Sequence, residues 1–179
     1  RYTLPENRED HQRPFMPSVS HLTIKNISVF GSKPGIGTTH IAIALASTLT
    51  ANGYPAVYTE RNGNNHLRSM LQEHPAVKEQ NGICYYKYFR GIPDYGQGIE
   101  PPDSGDAIYV KDFGVYQKDI IELGPENFNL FILSGSPWDL AQTISTGLEL
   151  SRLGNTAFIC NYNNQSSAKK LAGKLGCKV

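Results

Sequence analysis

A three-layer α/β fold on a mainly parallel sheet of at least five strands is the architecture this sequence predicts. Three observations predict it. Apolar, strand-like runs alternate with helical patterns through most of the chain. A Gly-rich turn, Val29-Phe30-Gly31-Ser32-Lys33-Pro34-Gly35-Ile36-Gly37-Thr38-Thr39-His40, joins the first strand pattern to the first helix. A second strand follows that helix, which makes a βαβ unit with a right-handed crossover and hence a parallel sheet.

Residues 1–20 hold Pro5, Pro14 and Pro17 among charged and polar side chains, without helical or alternating period, and read as a linker or N-terminal arm. Residues 21–179 make the domain. Leu22 to Phe30 carries Ile24, Ile27, Val29 and Phe30 into the Gly turn. The helix after it has Ile41, Leu45 and Leu49 at four-residue spacing and runs to about Asn52, where Gly53 suits a C-terminal cap. Ala56 to Thr59 is the second strand, and His66 to Glu73 a short helix with Leu67 and Leu71 on one face. Ile83 to Phe89 is a β-rich aromatic segment, followed by a Pro/Gly-rich loop through about Gly105. Asp106 to Gly114 is a strand delivering Asp112 at its carboxyl end, and Gln117 to Leu123 a short helix. Asn129 to Ser134 is a buried strand, after which Gly135-Ser136-Pro137-Trp138 opens a long helix to about Leu153. Thr156 to Asn161 is a further strand and Ser166 to Leu175 a closing helix. The chain opens at Arg1 without Met and stops at Gly176-Cys177-Lys178-Val179, which looks like the entry to another strand; a piece of a longer protein is expected.

The Gly turn has the chemistry of a phosphate cradle. Gly31, Gly35 and Gly37 let the backbone come within hydrogen-bonding range of a pyrophosphate, where a Cβ would block approach. The helix behind it aims its N–H groups and positive dipole end at the ligand. Aligned with the P-loop pattern Gly-x-x-x-x-Gly-Lys-Ser/Thr, Ser32 stands for the first Gly, Gly37 for the second, Thr38 for the Lys and Thr39 for the Mg²⁺-binding hydroxyl. Losing the lysine's charge weakens phosphate binding about ten- to a hundred-fold. Pro34 removes one backbone donor besides.

These residues resemble the deviant P-loop of the MinD/ParA-like ATPases, in which a second lysine stands early in a Lys-Gly-Gly-x-Gly-Lys-Thr run; Lys33 occupies that position. Within that family the chain looks like the divergent TadZ/CpaE-like pilus-assembly and localisation branch, where degenerate P-loops occur. The resemblance implies a three-layer α/β/α P-loop NTPase-like fold and a nucleotide switch with weak or absent ATP hydrolysis. It implies ATP and Mg²⁺ as ligands, a homodimer with nucleotide at its interface, and pilus or secretion-system partners. Nucleotide-binding positions by this resemblance are Ser32, Lys33, Gly35, Ile36, Gly37, Thr38, Thr39 and His40, with Asn161 at the adenine edge. The resemblance further implies that Lys33 reaches the partner subunit's nucleotide, that Asp112 is the Walker B carboxylate, and that Asn62 replaces an acid beside the attacking water. Thr39, Glu60 and Asp112 serve Mg²⁺, partly through water.

Other readings stay open at this level. A polar turn without a ligand fits Glu60 and Asn62 as well, and a pseudo-ATPase scaffold differs only in whether the turn still holds nucleotide. Gly31-x-x-x-Gly35-Ile36-Gly37 is also the cofactor turn of the NAD(P)-dependent short-chain dehydrogenases, with Glu60 placed for a ribose. That family needs Tyr-x-x-x-Lys, and none of the ten tyrosines has Lys four residues on.

Composition narrows the classes. With a net charge of +1 over 179 residues and no basic run interleaved with aromatics, there is no electrostatic case for nucleic acid. Cys84, Cys160 and Cys177 are odd in number and unpaired in spacing, as reduced thiols of a cytoplasmic protein would be, and the five histidines have no metal-ligand spacing. No apolar run approaches bilayer length and no signal-peptide arrangement is present; the resemblance adds a place at the periphery of a membrane-bound apparatus.

Overall fold

The computed structural model describes residues 24–94, 105–118, 124, 126–161 and 165–176. The expected arm, most of the expected Gln117–Leu123 helix, and Cys177 lie outside the described residues.

The chain runs through β1 (Asn26–Gly31), α1 (Thr38–Ala51), β2 (Ala56–Glu60), α2 (His66–Glu73), β3 (Lys78–Gln80), β4 (Ile83–Tyr86) and β5 (Phe89–Ile92). It continues as β6 (Ile108–Val115), β7 (Asn127–Ser134), α3 (Leu140–Leu150), β8 (Thr156–Asn161) and α4 (Gln165–Leu175). One eight-stranded sheet has the order β3-β4-β5-β2-β6-β1-β7-β8. From β5 across to β8 every pairing is parallel, and β4 alone runs against its neighbours β3 and β5.

The burial of β2 on all five residues, and of the last six of β7, is that of parallel strands covered on both faces. Alternation along β1 divides the core. Val29 joins Ala42 and Ala46 of α1 and Leu67 of α2 on one face; Phe30 joins Leu150 of α3 and Leu171 and Leu175 of α4 on the other. Small side chains at Ala42 and Ala46 bring α1 close to the sheet. The second face holds an aromatic column: Phe30 stacks on Phe113 at 5.1 Å, while Tyr116 meets Phe131, and Phe131 meets Phe158, edge to face at 5.6 and 6.3 Å. Three layers, α/β/α, result.

The structure refines the expectation at three elements. The β-rich aromatic segment at Ile83 to Phe89 comprises β4 and the first residue of β5, in an antiparallel β3-β4-β5 meander. Asn81 and Gly82, at φ 52° and 76°, turn β3 into β4 as a two-residue hairpin loop, a pairing that Asn-Gly favours because both central residues need positive φ. The strand bearing Asp112, expected over Asp106 to Gly114, is β6 at Ile108–Val115. Its register against β1 shifts between Val29 and Gly31 at the level of Gly114, whose φ is +68°. The long helix is also shorter than expected, with α3 spanning Leu140–Leu150. Among the described residues no helix is long and apolar enough to cross a membrane.

Phe131 is fully buried between the aromatic column and α3. Phe131→Ala is expected to lower stability by about 3–5 kcal/mol, read from the midpoint of urea unfolding.

Candidate functional site

β1 lies between β6 and β7. From its carboxyl end the chain crosses through α1 to β2 on one side, while β7 and β8 build the other, so that end is a topological switch point where a crevice opens. The Gly turn fills it. A Cβ at Gly31 would lie 2.2 Å from Thr38 Oγ1 and 2.6 Å from Ile36 Cγ2, so the turn closes over that glycine. Gly35 and Gly37 take φ of +71° and +94°, left-handed values that glycine alone adopts cheaply.

Neighbouring strands pin the turn. The Ser32 N–H donates to Ile132 O at 2.9 Å, and the Ser134 N–H donates to Ser32 Oγ at 3.2 Å. Asn161 Nδ2 donates to Ile36 O at 2.8 Å. Asn161 and Ser32 thereby shape the turn from behind, and Ile36 is buried in the core. At the start of α1, Gly37 occupies the cap position in left-handed conformation, with no side-chain cap and no acidic residue in the first turn. The helix therefore presents its first N–H groups and positive dipole end to the crevice.

That crevice has a volume of about 880 Å³. Lys33, Gly35, Gly37, Thr38, Thr39 and His40 form one wall, with Asn62, His66 and Gly114 opposite. Thr38 is nearly buried, its hydroxyl over Gly31, so the P-loop lysine position carries a short side chain folded onto the loop. Lys33 at the lip forms an ion pair with Asp139. Asp139 stands at the cap position of α3 but makes no capping bond; its carboxylate instead takes Lys33 and the Ser134 hydroxyl, the latter at 2.8 Å. Those two donors, Lys33 first, hold its carboxyl below the ordinary carboxylate range.

Asp112 is fully buried behind Asn62. Its Oδ2 accepts from Asn62 Nδ2 at 2.7 Å and from the Tyr58 hydroxyl at 3.0 Å; its Oδ1 accepts the Gly114 N–H at 3.0 Å. Burial first, then the Asp112 and Glu60 carboxylates, push the Tyr58 phenol far above its usual range, which keeps it a donor. Glu60 is also fully buried but faces α2, not the crevice. Its oxygens accept the His66 N–H at 2.7 Å and the Leu67 N–H at 3.4 Å, so it caps that helix. Sequence reasoning did not single out Tyr58, Ser134 or Asp139. Asp139 alone left a signal, as a helix-start residue after a Pro-containing turn.

A glycine turn leading from the central strand into an uncapped helix N-terminus, at the switch point of a parallel α/β/α sandwich, defines a P-loop NTPase-like fold. Solved structures agree. The chain is similar to the MinC:MinD cell division protein complex of Aquifex aeolicus, with a TM-score of 0.60 at 14% identity over 86% of this chain and 78% of that one. It is similar also to a ParA family ATPase from Chlorobium tepidum TLS, with a TM-score of 0.52 at 13% identity over 87% and 82% of the two chains. No family model and no curated protein matches it. At such identities the likeness is one of fold, and the fold is that of MinD and ParA family ATPases.

Tyr58→Phe removes one of three donors to a buried carboxylate and is expected to cost about 1.5–3 kcal/mol in urea unfolding. Glu60→Ala, which removes the cap of α2, is expected to reduce hydrogen-exchange protection in α2 before it affects β7.

Proposed function

We propose that the chain is a MinD/ParA-like nucleotide-binding switch with a degenerate P-loop. It holds the phosphates of ATP on the Gly35–Thr39 backbone and hydrolyses ATP slowly or not at all. The observation that carries this reading is the uncapped α1 N-terminus behind two left-handed glycines, facing a crevice large enough for a nucleotide. Slow hydrolysis follows from Thr38 in the place of the P-loop lysine and from Asn62 in the place of an acid. Lys33 at the lip is positioned for phosphate once Asp139 releases it, either in its own crevice or in that of a second copy. Trp138, beside Asp139 and 81% exposed, and Val115 on the crevice wall provide apolar surface for such a dimer. A role in localising or assembling a pilus or secretion apparatus, at the cytoplasmic face, rests on the TadZ/CpaE-like resemblance.

One observation favours a second reading, a scaffold that binds no nucleotide: the Lys33–Asp139 ion pair satisfies the lysine without any ligand. An ATP titration followed through Trp138 fluorescence and calorimetry, with NADH as competitor, separates the two. Saturable binding that NADH does not displace supports the switch, absence of binding at millimolar ATP supports the scaffold, and displacement by NADH supports a dinucleotide enzyme.

In the switch, Thr38→Lys restores the missing charge and is expected to tighten ATP binding about tenfold or more. Asp139→Asn releases Lys33 and is expected to tighten it about three- to tenfold by the same titration.

A further inference from the structure

The wall opposite the Gly turn differs from a metal-assisted phosphate site. In a cleft of this design Mg²⁺ belongs between the Thr39 hydroxyl and the Asp112 carboxylate. That space holds the Asn62 side-chain amide. Asn62 Nδ2 donates to Asp112 Oδ2 at 2.7 Å and lies 3.4 Å from Thr39 Oγ1, a longer contact. The orientation of the amide is fixed from its other end: Asn62 Oδ1 accepts the Asn64 N–H at 2.9 Å, and only the oxygen of an amide can accept it. The NH₂ group therefore faces Asp112 and Thr39. Gly114 packs against the base of this side chain: a Cβ there would lie 3.0 Å from Asn62 Cβ.

An amide NH₂ has no lone pair for a hard cation, whereas Mg²⁺ demands oxygen ligands at about 2.0–2.1 Å in near-octahedral array. The carboxylate oxygens of this corner accept other hydrogen bonds as well. Asp112 accepts from Tyr58 and from the Gly114 N–H, and Glu60 holds the His66 and Leu67 N–H groups. These residues do not fit Mg²⁺.

We propose that Asn62 stands in the cation's place, so that this crevice takes the phosphate groups of its ligand without a divalent metal. The proposal rests on the nucleotide reading above. A neutral amide satisfies Asp112 from the crevice side, and the ligand's negative charge is met by the α1 N-terminus and by Lys33.

The test is a calorimetric titration of the whole chain with ATP, once in EDTA and once in excess Mg²⁺. The two dissociation constants are expected to agree within about threefold. In Asn62→Asp, where two carboxylates face each other, EDTA is expected to weaken ATP binding about tenfold or more and Mg²⁺ to restore it. Native binding that weakens by that factor in EDTA overturns the proposal. Titration with Mn²⁺ alone, followed by electron paramagnetic resonance, decides it without nucleotide. The native chain is expected to leave Mn²⁺ free and Asn62→Asp to bind it, with Asn62→Ala as the second variant should the aspartate fail to fold. Mn²⁺ held by the native chain and released by Asp112→Asn would refute it. If ATP binds in neither buffer, the nucleotide reading fails, and the Mn²⁺ titration still settles the part played by Asn62.

Discussion

The organisation of the crevice depends on one buried charge. Asp112 has no contact with solvent, and a carboxylate removed from water is tolerated only when donors replace the hydration it has lost. Its three donors come from three places: Tyr58 in the middle of β2, Asn62 just after β2, and the Gly114 backbone on its own strand. Satisfying one carboxylate therefore fixes the spacing of β2 and β6, the path of the chain between β2 and α2, and the irregularity that lets β6 continue past the Gly turn. Glu60 repeats the principle a short distance away. It lies opposite Asp112 in the β2–β6 register, and its charge is matched by the amino end of α2. Two buried carboxylates side by side are kept apart in function because each has its own set of donors.

The Gly turn is held with comparable economy. Gly31 is tied to Thr38 and Ile36 by lack of space, Ser32 to β7 through Ile132 and Ser134, and Ile36 to β8 through Asn161. The carboxyl ends of β1, β7 and β8 thus contribute to the shape of one loop. The first N–H groups of α1 are left without a side-chain cap at the crevice, while Ser32 and Ile36 are paired with the scaffold behind the loop. Geometry of this kind costs no reorganisation when an anion arrives.

Much of the fold was legible in the sequence. Nearly continuous apolar runs marked the parallel strands, and a four-residue apolar spacing marked α1, because burial on two faces and on one face leave different periods. The residues from Ile83 to Phe89 read as β-rich, but the Asn81-Gly82 turn before them, and with it the meander, went unread. What could not be read were distances between segments remote in sequence. Tyr58 is an apolar-looking strand residue until Asp112 lies opposite its hydroxyl, and Lys33 and Asp139 are 106 positions apart. Asn161 was singled out for an adenine edge; the structure shows its amide on the loop backbone. Spacing rules reach about one turn of helix or one strand pair, and these contacts lie beyond that reach.

The meander of β3, β4 and β5 has a consequence for how copies of this protein can meet. β3 is the outermost strand on that side, and its residues Lys78, Glu79 and Gln80 are all exposed. A short border strand carrying opposite charges and an amide gives an approaching strand little apolar surface to zip against, and desolvating its ions is unfavourable. The sheet is therefore finished on that flank, and growth into a continuous ribbon of molecules is discouraged there.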